Sequence, residues 1–229
     1  MNKPIIGVLG RIKKNINDEI MIPEDIRLAI VLSGAIPFLI LPTYHSNMIV
    51  KKPFQNDLSE VEKEDLKQVI GLCDGILFPG GSQWFGTDQF VYEYALSLKK
   101  PILGICLGMQ MMANRQLFYA NSSDQTIPIC SFIIHQSKNT YEHEVFLKES
   151  KLKKILKKEC LLVNSRHSYQ INNSGYFLVS SKAKDDVIES IELPDEDFVI
   201  GVQWHPETTF EIDENSQKLF LEFVKHCKK

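Results

Sequence analysis

Long apolar runs, paired cysteines at metal-binding spacing, low-complexity linkers and an excess of one charge are all missing from this sequence of 229 residues. No stretch approaches the ~18 apolar residues that a membrane helix needs, so no span is expected. The opening MNKPIIGVLGRIKK lacks the apolar centre of a signal peptide, and charges follow at once. Cys73, Cys106, Cys130, Cys160 and Cys227 make an odd number with no CxxC pair. Neither a disulfide framework nor a metal site is indicated, and a reducing, cytoplasmic setting is the simplest expectation. The 26 basic residues stand against 29 acidic ones, which leaves no electrostatic footprint for nucleic acid. The densest basic run, Lys148 to Lys158, reads as the solvated face of a helix.

What remains is ordinary globular material. Hydrophobic residues at 44% and charged residues at 24% exclude a disordered tail or a fibre and supply a sizeable core. No linker divides the chain, so residues 1–229 read as one domain. Apolar runs at Pro4–Leu9, Pro37–Leu41, Gly75–Pro79 and Pro101–Ile105 predict buried strands. Helices are predicted between them. One opens at Pro23 and closes at Gly34, with Ile26, Ala29, Ile30 and Leu32 on or near one face. One opens on a Ser59/Glu62 capping box and carries Val61, Leu66, Val69, Ile70 and Leu72. One begins at Asp88, and one follows Cys106. Such alternation indicates an α/β fold of three layers, with a mainly parallel central sheet covered by helices on both faces. The second half changes character. Segments 143–147, 161–164, 176–180, 187–192 and 198–204 predict a smaller β-rich section, closed by a helix from Asp213.

Three segments carry chemistry. In PILGICLGMQMM a buried strand ends at Cys106, with Gly104 and Gly108 two residues to either side. This is the logic of a nucleophile elbow, where a strand-to-helix turn exposes the nucleophile at the sheet edge. The following helix N-terminus favours a thiolate. A free cysteine is commonly only a buried structural residue, but the strand–GxCxG–helix context favours a nucleophile. In VIGVQWHPE a strand rises to His205, and Glu207 follows two residues later. A cysteine nucleophile needs a base, and the base needs an orienting partner. In GILFPGGS the glycine pair can present an unobstructed N–H beside Cys106. The N–H groups of Gly81 and Leu107 then form a candidate oxyanion hole. No metal or organic cofactor is required by such chemistry.

LGICLGMQ, LFPGGS and GVQWHPE together resemble the class I glutamine amidotransferase superfamily, with its Cys-His-Glu triad. KPIIGVLGR, AIPFLILP, EHEV and VNSRHSYQ are most similar to its gamma-glutamyl-gamma-aminobutyrate hydrolase-like group. The resemblance spans nearly the whole chain. It implies a flavodoxin-like fold, with Cys106 as nucleophile, His205 as general base and acid, and Glu207 as orienter. It further implies that Gln110 lies beside the glutamyl group and that His167 binds substrate, although the residue alone is equally a hydrogen-bonded structural histidine. Ser165 and Arg166 belong to the same segment; Arg166 could pair with a substrate carboxylate or stand as an ordinary surface arginine. Trp84 and Phe85, just after the glycine pair, could wall the pocket. The sequence departs from the group after PGGS and after the nucleophile helix. Both regions line the substrate mouth in such folds.

The reaction implied is cleavage of a small gamma-glutamyl compound through a glutamyl thioester. The alternative is a glutaminase subunit supplying ammonia to a separate synthetase, and a non-catalytic relative ranks third. The expected partner is thus a small gamma-glutamyl substrate, with neither nucleic acid nor membrane. A homodimer and a synthetase are the protein partners left open.

Overall fold

Each apolar run of the first half becomes a strand because it is short, bounded by glycine or proline, and apolar at every position. The structure is a computed structural model that describes residues 2–13, 19–41, 58–82, 85–119, 126–129 and 132–228. Cys130 lies outside them. In chain order the elements are β1 (Ile5–Leu9), β2 (Arg11–Lys13), β3 (Glu19–Met21), α1 (Glu24–Leu32), β4 (Ile36–Ile40) and α2 (Glu60–Leu72). Then come β5 (Gly75–Phe78), α3 (Gly86–Ser97), β6 (Ile102–Ile105), α4 (Leu107–Tyr119), β7 (Thr126–Pro128) and β8 (His143–Leu147). The chain closes with α5 (Lys151–Leu156), β9 (Cys160–Val163), β10 (Tyr169–Ile171), β11 (Leu178–Ala183), β12 (Ile188–Glu192), β13 (Val199–Val202), a 3₁₀ turn (Pro206–Thr209) and α6 (Glu214–His226).

Nine strands form one sheet in the order β4-β1-β5-β6-β13-β12-β11-β8-β9. From β4 to β13 the neighbours are parallel. From β13 to β9 they are antiparallel. The β-rich section predicted for the second half is therefore an extension of the same sheet, with β7 and β10 pairing separately. Strand alternation sorts the core into two layers. Leu77, Leu103 and Ile200 pack with Ile26, Ile30, Phe220 and Phe223 on the α1/α6 side. Ile76, Phe78 and Ile102 pack with Leu66, Ile70, Val91 and Met109 on the α2/α3/α4 side. Both faces are covered, as all-apolar parallel strands require.

Local signals explain most helix ends. The Ser59/Glu62 capping box is formed, with both reciprocal bonds in place. Asp213 accepts from the N–H groups of Asn215 and Ser216 at the start of α6. Gly34, at φ +87°, turns the chain after α1. Three apolar residues expected on buried faces are exposed instead: Leu32, Val61 and Leu72. In α2 the reason is angular. At 3.6 residues per turn, Val61 and Leu72 lie roughly 140° and 120° around the helix from buried Leu66. Asp88 also differs from expectation. It sits inside the first turn of α3, where its carboxylate accepts from the N–H of Phe85.

Gly104 and Gly108 make the close packing of α4 on the sheet possible. A Cβ on Gly104 would run into Met112 and would lie 3.0 Å from the Met109 nitrogen. A Cβ on Gly108 would run into the Phe78 carbonyl oxygen and lie 2.8 Å from the Phe78 Cβ. In an open helix, alanine would be preferred to glycine by roughly 1 kcal/mol. Here the sign reverses. Gly108→Ala is expected to lower unfolding stability by about 1–3 kcal/mol, as overpacking does, and urea denaturation measures it. A stabilised variant would show that β5 and α4 are not held at this separation.

Candidate active site

Strand register brings the three sequence segments together. Gly104 of β6 is opposite Phe78 of β5, and Ile105 is opposite Val202 of β13. The residues that follow each strand, Gly80, Cys106 and His205, therefore emerge side by side at one edge. Cys106 has φ +50°, the left-handed region that costs a side-chain-bearing residue about 1–3 kcal/mol. Its backbone is held regardless. The Cys106 N–H donates to Val202 O at 2.7 Å, and its carbonyl accepts from the N–H of Gln110 at 3.1 Å. This is the turn a nucleophile elbow needs, with the thiol projecting over the N-terminus of α4.

His205 is gripped from two sides. Its Nδ1 lies 2.7 Å from Glu207 Oε1, and the Cys106 sulfur on the other side favours its charged form. With Nδ1 engaged by the carboxylate, Nε2 is the nitrogen left to serve the thiol. Burial works against a charged imidazole here. The Glu207 carboxylate and the Cys106 sulfur outweigh it, and the His205 pKa is pushed up to about 10. Glu207 is buried, and its second oxygen has no partner among the described residues. Its charge is therefore directed at the ring. Burial pushes the Cys73 thiol up to about 11 and also raises Cys227. Cys106, by contrast, is the cysteine whose sulfur helps to raise the His205 pKa.

The glycine pair lies where the third segment was expected. A Cβ on Gly80 would stand 2.7 Å from His205 Cε1 and 3.6 Å from Cys106 Cβ. Gly80 thus lets the loop pass directly over the thiol and the imidazole. Gly81 lies against Leu107, whose Cδ2 would be 3.3 Å from a Cβ placed there. Neither the Gly81 N–H nor the Leu107 N–H has an acceptor among the described residues.

Two positioning residues escaped the sequence reading. Asn164 Oδ1 accepts from the His205 N–H at 2.8 Å, and its Nδ2 donates to the His205 carbonyl at 2.8 Å. It clamps the backbone that carries the imidazole. The signal was inside VNSRHSYQ, where attention went to the polar residues further along. Arg11 is buried and donates to the Pro79 carbonyl from Nε at 3.3 Å and from Nη2 at 3.1 Å. Its Nη1 pairs with Asp88 at 2.6 Å. Arg11 and Asp88 together fix both ends of the glycine loop. An arginine two residues beyond β1 gives no hint of this in sequence.

The residues expected around the substrate are distributed differently. Gln110 is buried, and its amide donates to the Tyr169 carbonyl at 2.9 Å and to Gln203 Oε1 at 3.0 Å. Ser165 is fully buried, and Arg166 is exposed. His167, read as a substrate ligand, is buried with both ring nitrogens engaged inside the protein, at His135 and at the Tyr169 carbonyl. It belongs to a cluster with His135, His143, Asp185 and Glu189. The sequence showed no metal-ligand spacing, yet folding gathers ligand atoms of His135, His143 and Glu189 within 4.8 Å of one another. Phe85 is buried, and Trp84 lies outside the described residues.

Known proteins share this framework. The Peptidase C26 family profile matches residues 86–207. The glutamine amidotransferase-like protein RP404 of Rickettsia prowazekii is 30% identical, over 90% of this chain and 91% of its own length. PB2B2.05 of Schizosaccharomyces pombe is 37% identical over 62% of this chain, which spans 56% of that relative's length. The CTP synthase of Thermotoga maritima is 30% identical over 69% of this chain and 37% of its own length. Among solved structures, the glutaminase domain of Trypanosoma brucei CTP synthase superposes with a TM-score of 0.67 at 18% identity, covering 98% of this chain and 94% of that one. A family profile matching more than half of the sequence and a relative aligned over nearly all of it lead to one conclusion: the chain belongs to the Peptidase C26 family of class I glutamine amidotransferase-like proteins.

Proposed function

We propose that this protein is a cysteine hydrolase that cleaves the gamma-glutamyl amide bond of a small substrate and releases glutamate. The observation that carries this reading is the single line Glu207–His205–Cys106. A carboxylate 2.7 Å from Nδ1 fixes the imidazole, and the imidazole stands beside a thiol on a strained elbow that helps to hold it charged. In the first step the Cys106 sulfur attacks the gamma carbonyl carbon. The developing oxyanion is received by the N–H groups of Gly81 and Leu107, each of which is worth a few kcal/mol in comparable sites. His205 gives its Nε2 proton to the leaving nitrogen and the C–N bond breaks. It then takes a proton from water, which attacks the thioester, and glutamate departs with the thiol restored.

A second reading uses the same chemistry with glutamine as donor and ammonia as product. The likeness to the Thermotoga CTP synthase supports it, since the aligned part is 37% of a synthetase. The two readings separate in one assay. The purified full chain is offered glutamine and a panel of gamma-glutamyl amines, and glutamate release is followed. Turnover of an amine conjugate above glutamine supports the hydrolase. Turnover of glutamine only when a synthetase is added supports the ammonia-supplying subunit. No turnover in either arm sinks both.

Three outcomes are expected once a donor is found. Cys106→Ala lowers kcat by roughly 10⁴-fold or more, as loss of a triad nucleophile does, and mass spectrometry no longer finds a glutamyl adduct. The alkaline limb of kcat/KM should fall near pH 10, because His205 holds its leaving-group proton up to its raised pKa of about 10. In Glu207→Gln that support is gone, and the limb should move down toward the ordinary imidazole value of about 6.5. An unmoved limb would mean that Glu207 does not set the charge on the ring. Asn164→Ala should reduce kcat by about 10²-fold with little change in KM, since it misplaces the imidazole without touching substrate. A change confined to KM would assign Asn164 to binding instead.

A further inference from the structure

We propose that the antiparallel half of the sheet holds a divalent transition-metal ion, best matched by zinc, bound by His135, His167 and Glu189 with His143 alongside. The site is separate from Cys106 and does not depend on the reaction proposed there.

Tautomers decide the matter. His167 Nδ1 lies 3.0 Å from the Tyr169 carbonyl oxygen, which can only accept, so Nδ1 carries the proton. His135 Nε2 lies 3.1 Å from Asp185 Oδ2, so Nε2 carries the proton there. The remaining nitrogens, His135 Nδ1 and His167 Nε2, face each other at 3.2 Å. In neutral rings both present lone pairs. Glu189 Oε1 stands 3.5 Å from each of them. With both rings neutral, three electron-pair donors thus converge on one point, an arrangement that suits a cation.

Geometry favours a metal over an extra proton. Bonds of about 2.0–2.2 Å to zinc put neighbouring ligand atoms of a tetrahedron about 3.3–3.6 Å apart. The observed edges are 3.2, 3.5 and 3.5 Å. His143 Nε2 lies 3.2 Å from the same Glu189 oxygen, in place to become a fourth ligand or to fix the carboxylate. Glu189 is fully buried, and its Oε2 has no partner among the described residues. A proton shared between two imidazoles would leave that oxygen unsatisfied, whereas a metal can take a carboxylate through either or both oxygens. The outer partners fit as well. Metal-bound histidines ordinarily donate their other N–H to a carboxylate or a backbone carbonyl. Asp185 and Tyr169 stand in those positions.

The four ligand residues are all buried, so the ion would be structural. His167 lies three residues after Asn164, the clamp on His205. The Tyr169 carbonyl that orients His167 also accepts from Gln110 of α4. A metal here would fix segment 164–169 and, through it, the imidazole of the active site.

The test uses the full chain, expressed without a histidine tag in zinc-supplemented medium and purified without chelator. Elemental analysis should find close to one zinc per chain. Cobalt exchanged into the site should give the intense visible bands of a four-coordinate nitrogen–oxygen set, without a sulfur charge-transfer band. Cys106→Ser should retain the metal, while Glu189→Gln and His167→Gln should lose it. Should those two variants fail to fold, the wild-type stoichiometry and the cobalt spectrum still decide. No metal retained by wild-type protein after incubation with zinc or cobalt would overturn the proposal, and would leave a shared proton as the cation. A sulfur charge-transfer band, or metal lost with Cys106→Ser, would place the ion at the thiol and overturn it equally.

Discussion

Gly80, Gly104 and Gly108 let three pieces of chain approach more closely than any side chain would permit, and the position of Cys106 follows from that approach. A Cβ at Gly108 would strike the end of β5, one at Gly104 would strike α4, and one at Gly80 would strike the imidazole of His205. Remove the close approach and β5, β6 and α4 must separate. The elbow would relax, and Cys106 would lose the reason to hold φ at +50°. The strain at Cys106 is small beside the parallel ladder on either side, which fixes the residues before and after it. Packing in the sheet thus holds the nucleophile in a conformation that its own backbone disfavours.

Electrostatics then act on a geometry already fixed. Glu207 is buried with one oxygen on His205 and the other unpartnered, so its negative charge is poorly dispersed except through the ring. That is why the imidazole is pushed toward its charged form although it is itself largely buried. An imidazolium is in turn the neighbour that a thiolate requires. The chain keeps this arrangement rigid from behind. Asn164 binds both the N–H and the carbonyl of His205, so the ring cannot drift without breaking two short bonds. Arg11 does the corresponding work for the glycine loop by holding the Pro79 carbonyl. One residue holds the backbone of His205 and the other holds the loop beside Cys106.

The parallel half of the fold was legible in the sequence because its signals are local. PIIGVL, GILFP and PILGI are apolar at every position, and each has a glycine or proline at one boundary. Cys106, His205 and Glu207 were legible for the same reason, since each sits within a few residues of a strand end whose register can be inferred. The antiparallel half was legible only as strands. β11 and β12 carry Ser180, Ser181, Ser190, Glu189 and Glu192, all buried, so the expected alternation of apolar and polar faces fails there. Those residues find partners across strands. Ser190 Oγ is 2.7 Å from Ser180 and 2.6 Å from Ser181, and Glu192 accepts from the N–H groups of Lys151 and Leu152 at the start of α5. Partners on another strand or helix, from nine to forty-one residues away, leave no periodic trace. Arg11, whose partners lie 68 and 77 residues away, was invisible for the same reason. His167 was read from its motif as facing substrate, whereas its partners in space, an imidazole and a backbone carbonyl, could not be read from the chain.

The division of the sheet into an apolar half and a polar half has a mechanical consequence. The parallel strands lead into Cys106 and His205, and their stability comes from two continuous apolar layers. The antiparallel strands bury charge, which is costly unless each group is matched. Asp185 and Glu189 are matched by His135, His143 and His167, which lie 3.1 to 3.5 Å from their carboxylate oxygens. Segment 164–169 bridges the two halves, with Asn164 on His205, His167 in the buried cluster and Tyr169 on Gln110 of the nucleophile helix. Loosening the buried charges would therefore reach the active site through six consecutive residues, with no movement of the sheet. Segment 164–169 thus joins the buried polar cluster to the main chain of His205, so any strain in that cluster has a direct route through Asn164 to the residue that Glu207 holds.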